Sequence, residues 1–294
     1  MGKRQEKLMS LVAAKGIDQE EGDFQAMAKQ LLQQGMHGIC FSLFEEDQQP
    51  GDPITEEQIR RRLEILQPHT GWVRTFSCTE GNELIPPLAR EYGLKTLVGA
   101  WLSADEEKNA EEIHGLISLS QQGFVDVAAV GNEVLYRKEL SESRLIQYIQ
   151  EVKEQLSGIP VGYVDAYYEF TDRPAVTEAC DVILANCYPF WEGCHIDYAF
   201  LYMKEMYHQA LQAGQGKKVI ITETGWPSDG GAFEASEASM DNFLKYFVNA
   251  IHWSNRENID MFYFSSFDES WKTGDEGDVG AYWGLWDKHE NLKF

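Results

Sequence analysis

A single-domain (β/α)8 barrel is the fold class this sequence predicts. Three observations point to it. Eight short apolar runs recur along the chain, amphipathic stretches of helical period separate them, and consecutive runs start roughly 22 to 42 residues apart, the length a strand–helix unit needs. The 294 residues, 43% of them hydrophobic, suffice for one such core. A doubly wound open sheet is the alternative architecture.

The elements follow in order. Residues 1–36 precede the first strand and form an N-terminal extension. Within it "DFQAMAKQLLQQG" (23–35) is expected to be helical and to pack under or beside the barrel. The catalytic domain then runs over 37–294. Its strand candidates are "GICFS" (38–42), "WVRTFS" (72–77), "KTLVGAWL" (95–102), "DVAAVGN" (126–132), "IPVGYVD" (159–165), "DVILANCY" (181–188), "KKVIITET" (217–224) and "IDMFYFSSFD" (259–268). Most are apolar without strict alternation, as parallel strands buried on both faces should be. Between them "TEEQIRRRLEIL" (55–66) opens on Thr55, with Gln58 placed for a capping box. "NELIPPLAREYG" (82–93) ends in a glycine suited to a C-cap. Stretches 110–123, 141–158, 197–214 and 238–255 have the same amphipathic character.

Composition limits what the protein can bind. The formal charge is −23, which repels nucleic acid and anionic membrane. No run of 18 apolar residues offers a membrane span. A neutral or cationic small molecule or polymer is the expected partner, and a monomer the expected state. The five cysteines are odd in number and widely spaced, so no disulfide framework is expected. Cys187, Cys194 and His195 lack the ligand spacing of a zinc site, and no metal or cofactor is expected. In "MGKRQEKLMSLVAAKG" the apolar stretch is too short for a signal peptide. A chain trimmed of its signal would read the same, so cytoplasm and export both stay open.

Barrel enzymes work where strands end and βα loops begin. Those ends carry Arg74 on the second strand, Asn132 and Glu133 on the fourth, and Tyr163 and Asp165 on the fifth. Asn186, Tyr188 and Trp191 follow the sixth, Glu223 and Trp226 the seventh, and Asp268, Glu269, Trp271 and Lys272 the eighth. The face is one of carboxylates, amides and rings. Asn132 and Glu133 could simply cap a helix. But Glu133 and Glu223 stand about 90 residues apart, three strand–helix units, which sets them across the mouth of a closed barrel. Opposed carboxylates with aromatic surroundings suit glycosidic bond cleavage, one as nucleophile and one as acid and base. Asn132 can then hydrogen-bond a sugar 2-hydroxyl. Tyr188, Trp191, Trp271 and Trp286 are candidates to line a saccharide cleft, although rings more often serve the core. The acidic "GDEGDVG" (274–280) is a solvated loop rather than a cation site, and no P-loop, GxSxG or HExxH is present.

"VGNEVL" (130–135), "ANCYPF" (185–190), "ITETGWPS" (221–228), "FSSFDESWK" (264–272) and "YWGLWD" (282–287) together resemble glycoside hydrolase family 17, the β-1,3-glucanases and glucanosyltransferases. The likeness covers about residue 37 to 294. "GICFS", "IRRRLEIL", "VRTFS" and "LAREYGLKTLVGAWL" look like the bacterial branch rather than the plant one. The resemblance implies a retaining mechanism on β-1,3-linked glucan without a cofactor. It implies Glu133 as acid/base, Glu223 as nucleophile and Asn132 as support for the donor sugar. Tyr188 would sit near the nucleophile, with Glu269 and Lys272 in the polar support of the site. Glu276 and Asp278 compete for one further acidic role. Three functions remain on the table: a hydrolase, a glucanosyltransferase using the same glutamates, and a non-catalytic glucan-binding barrel.

Overall fold

The computed structural model describes residues 19–274 and 276–294. Residues 1–18, which include "MGKRQEKLMSLVAAKG" and half of the N-terminal extension, lie outside the described residues, as does Asp275 of the acidic loop. Eight parallel strands close into a barrel: β1 (Met36–Cys40), β2 (Thr70–Thr75), β3 (Lys95–Ala100), β4 (Val127–Asn132), β5 (Val161–Ala166), β6 (Ile183–Asn186), β7 (Val219–Thr224) and β8 (Met261–Tyr263). Each pairs with its sequence neighbours, and β8 closes on β1 through Gly38↔Phe262 and Ile39↔Tyr263. Gly38 is required there, because a Cβ would stand 2.5 Å from the Phe262 ring. Seven of the eight strands end on a buried residue, while β5 closes on half-buried Ala166.

Helices ring the barrel: α1 (Phe24–Gln34), α2 (Glu56–Leu66), α3 (Ile85–Glu91), α4 (Glu106–Gln121), α5 (Glu142–Gln155), α6 (Glu169–Asp172), α7 (Pro174–Ala179), α8 (Ile196–Gly214) and α9 (Met240–Glu257). Thr55 and Gln58 form the capping box that their spacing predicts. Helix α1, capped by Asp23, buries Ala28, Leu31 and Leu32 and packs against α9. It lies in the outer layer of helices, beside the barrel. Two features escape the sequence pattern. The connection from β5 to β6 is split into the short α6 and α7. After β7 comes a two-stranded ribbon (Ala232–Phe233 with Ser236–Glu237), whose Phe233 packs on Trp191 of the β6 loop.

Candidate active site

Glu223, at the end of β7, is buried and meets three donors. Its Oε1 accepts from Arg74 Nη1 at 2.7 Å and from Asn186 Nδ2 at 3.0 Å, and its Oε2 accepts from the Tyr188 hydroxyl at 2.7 Å. Arg74 is itself only 1% exposed; burial works against its charge, but the charges of Glu223 and Cys40 and its hydrogen bonds to both together outweigh it and keep the guanidinium protonated. Burial and the same charge push the Tyr188 hydroxyl well above its usual range, so it stays a donor. A cation and two neutral donors thus hold the Glu223 carboxyl in one orientation.

Glu133 follows β4 directly and shares one partner with Glu223. Asn186 Nδ2 donates to Glu133 Oε1 at 2.8 Å as well as to Glu223, while its Oδ1 accepts from Thr222 Oγ1 at 2.8 Å. Thr222 thereby fixes which way the amide faces. Two acceptors on one amide nitrogen, its N–H bonds near 120° apart, put the facing carboxyl oxygens about 5 Å from each other. Burial first, then the Glu223 charge, raise the Glu133 carboxyl to about 7; Asn186 and Arg137 pull the other way. Below about pH 7 Glu133 is therefore a neutral acid that can give up a proton.

The backbone at Glu133 is unusual. Its φ is +53°, a left-handed conformation that a side chain adopts at a cost, and Gly131 before it has φ +84°. The following turn is over-determined. Glu133 N donates to Val164 O at 2.8 Å, Leu135 N to the Tyr163 hydroxyl at 2.9 Å, and Arg137 Nη1 to Asn132 O at 2.7 Å. No helix begins there: α5 starts at Glu142 with Ser141 as its cap, so Asn132 and Glu133 cap nothing. Asn132 Oδ1 accepts from Arg74 Nη2 at 2.7 Å, which turns its amide N–H2 away from the arginine.

The structure brings Arg74, Asn132, Glu133, Asn186, Tyr188 and Glu223 into one hydrogen-bonded group. It redirects other candidates. The sequence suggests Tyr163 and Trp226 as sugar contacts, but both are 0% exposed. Tyr163 bonds to Asp165 and supports the β4 turn; Trp226 donates to Glu237 O at 2.9 Å and packs on Phe190 and Tyr246. Arg74 likewise reaches Glu223 and Asn132 from below rather than a ligand. Trp286 is buried against Phe267 and His69. Trp191 is half-buried among Phe190, Trp283 and Phe233. Trp271 stays exposed, its Nε1 bonded to Glu269 at 3.3 Å. Glu269 and Lys272 form a buried ion pair at 2.8 Å, with the ammonium 4.5 Å from the centre of the Phe264 ring. The Glu276 charge helps to hold Lys272 protonated, whereas Asp278 accepts from Gly231 N in the β7 loop. The sequence pattern also misses groups. Thr222 and Arg137 orient the site, and Trp101 and Tyr136 are exposed beside it. Trp101 reads as the tail of an apolar strand, although its place just past β3 could mark it as a mouth residue. Among the described residues no group of three His, Cys, Asp or Glu side chains could hold a metal, and all five cysteines are buried thiols.

Comparison with known proteins identifies relatives across most of the chain. Residues 38–284 match the BtgE/BtgC glycoside hydrolase domain. A glucan 1,3-beta-glucosidase of Schizosaccharomyces pombe is 28% identical over 96% of this chain and 93% of its own length. The Saccharomyces cerevisiae protein of the same name is 30% identical over 79% of this chain and 82% of its own. Among solved structures, the glycoside hydrolase family 17 beta-1,3-glucanosyltransferase of Rhizomucor miehei aligns with a TM-score of 0.80 at 32% identity, covering 89% of this chain and 96% of that one. An active-site mutant of that enzyme is known in complex with laminaritriose.

Proposed function

The chain belongs to the BtgE/BtgC glycoside hydrolases of family 17, and on that premise we propose that it cleaves β-1,3-glucan with retention, Glu223 as nucleophile and Glu133 as acid/base. Glu223 attacks the anomeric carbon as the glycosidic C–O bond breaks, and Glu133 gives its proton to the departing oxygen. Glu133, now a carboxylate, takes a proton from water, whose oxygen displaces Glu223 and restores both groups. Arg74 and the Tyr188 hydroxyl stabilise Glu223 as a leaving carboxylate. The N–H2 of Asn132 faces the donor sugar. The observation that carries the reading is Asn186, one nitrogen bridging both glutamates. The resulting separation of about 5 Å suits a covalent intermediate, and an inverting pair would need room for a water.

The test is product stereochemistry with nucleophile rescue. Laminarioligosaccharides should give the β-anomer first. Glu223→Ala should be inactive, and azide should rescue it on a dinitrophenyl β-laminaribioside, forming an α-glycosyl azide. A first-formed α-anomer, or wild-type turnover by Glu223→Ala, overturns the assignment.

Transfer to a sugar is the second reading, favoured by the identity with the Rhizomucor miehei glucanosyltransferase. Products longer than the starting oligosaccharide would establish it; shorter products alone establish hydrolysis. No change in the oligosaccharides would leave a binding protein. The whole site comes from one chain, which supports action as a monomer. The short motifs named for the bacterial branch support that placement, while the two glucosidases and the glucanosyltransferase compared are fungal.

A further inference from the structure

Helix α4 carries two polar side chains, Asn109 and Glu112, that are 0% and 1% exposed and that the chemistry above does not use. They lie on one face of the helix. Glu112 meets four donors: the hydroxyls of Ser77 (2.6 Å) and Thr79 (2.5 Å) at Oε1, and the backbone N–H groups of Cys78 (2.8 Å) and Trp101 (3.0 Å) at Oε2. It therefore ties the β2 loop to the end of β3. Gly115 permits this approach, since a Cβ there would stand 2.8 Å from the Cys78 carbonyl oxygen. Asn109 accepts from Ser103 N and donates to Ser103 O, both at 2.8 Å. Leu102 O accepts from Arg137 Nη2 at 3.3 Å. Residues 101–103 are thus held at four backbone atoms, and what they present is a Trp101 ring left 39% exposed. The Arg137 guanidinium covers one face of that ring at 4.6 Å and also donates to Asn132 O, beside Glu133.

A buried polar clasp around an exposed ring does little for the core, which gains only when apolar surface leaves water. It does serve a ligand with an apolar face. β3 is the barrel neighbour of β4, and Arg137 spans from the Trp101 ring to Asn132 O, so Trp101 and Glu133 follow adjacent strand ends. The oxygen that Glu133 protonates belongs to the leaving-group sugar, which must therefore lie along the β3 and β4 loops. We propose that Glu112 is a positioning residue for the reaction: through the Trp101 backbone it fixes an aromatic platform for a glucose unit on the leaving-group side. This rests on the glucanase reading above.

The test compares laminaripentaose, which occupies the leaving-group side, with β-laminaribiosyl fluoride, which has no leaving sugar. Glu112→Ala strands two backbone N–H groups and should lower the pentaose-to-fluoride ratio of kcat/KM about tenfold, through a higher KM for the pentaose. Glu112→Gln can keep its oxygen on the two N–H groups and turn its amide to the rotatable hydroxyls, so it should restore the ratio. Trp101→Ala should lower the ratio as Glu112→Ala does, and it decides the matter if Glu112→Ala does not fold. An unmoved ratio in Trp101→Ala, or a Glu112→Ala loss confined to kcat, overturns the proposal. Failure of the wild type to turn over the fluoride overturns the glucanase reading instead.

Discussion

Glu133 and Glu223 are the same side chain in two surroundings. Glu223 has a guanidinium and a phenol against it; Glu133 has burial, a neighbouring negative charge and one amide. On the proposed assignment the pair divides its work for that reason, and the division has a pH signature. Glu133 is useful while protonated, so kcat/KM should fall as pH rises through about 7. Glu133→Gln should lose that alkaline limb and reduce kcat/KM by about 10²–10⁴ on laminarioligosaccharides, with a much smaller loss of kcat/KM on β-laminaribiosyl fluoride, whose leaving group needs no proton. A pH–rate profile of both forms checks this; an unchanged limb in Glu133→Gln would assign it to another group. Arg74 makes a second case. Arg74→Met leaves Glu223 as a buried carboxylate without a countercharge, which should cost about 3–5 kcal/mol of folding stability. Adding Glu223→Gln should recover part of that stability and none of the activity. Denaturant melts of the two single variants and the double variant measure the coupling, and additive losses would mean the pair is not coupled.

At the scale of elements, the sequence is most legible where local chemistry and burial agree. Thr55 and Gln58 announce a helix start, and apolar runs such as "KTLVGAWL" announce strands, because a parallel strand in a barrel is buried on both faces. The ends are less legible. Helix α4 begins at Glu106, under an Asp105 cap, four residues before its apolar stripe becomes visible. α6, α7 and the ribbon are too short to set up a period. The site shows the same split. The two glutamates could be read from strand ends, since the barrel fixes where strand ends point. The roles of Tyr163 and Trp226 could not, because an aromatic residue near a strand end looks alike whether it faces the mouth or the core. Tyr163 is the informative case. Its hydroxyl donates to Asp165 and accepts from Leu135 N, joining β5 to the turn that holds Glu133 at positive φ. Tyr163→Phe strands Leu135 N, leaves Asp165 with only the Tyr136 and Ala166 N–H groups, and should cost about 1–3 kcal/mol of stability. It should also lower kcat more than it raises KM, because the acid shifts while the sugar contacts remain. Equal kcat with lower stability would confine Tyr163 to a structural role.

For the whole molecule, charge and buried acids act together. A net charge of −23 leaves a neutral glucan free to approach, but it also makes the folded state repel itself. Three buried carboxyls add to that burden: Glu133 is raised to about 7, Asp165 to about 6 and Asp268 to about 6, each chiefly by burial. A carboxyl whose folded value lies above its unfolded one favours the fold fully below the unfolded value, near 4 to 4.5 for these groups. That contribution is lost as pH rises through the folded value. Stability should therefore decline between about pH 4.5 and 7, with Glu133 alone contributing up to about 3 kcal/mol of the change. Exposed acids paired with cations, such as Glu106 held at about 2 by Arg144, act in the opposite sense and limit the gain at lower pH. Melting temperature should peak near pH 5 and fall toward pH 8, and Glu133→Gln should flatten the fall. Salt should raise the melting temperature at pH 8 more than at pH 5, because it screens repulsion among charges that acid has already begun to remove. A fall from pH 5 to 8 that is equally steep in the wild type and in Glu133→Gln would mean that the fold does not raise the Glu133 carboxyl, and Glu133 would then be a poor acid near neutrality.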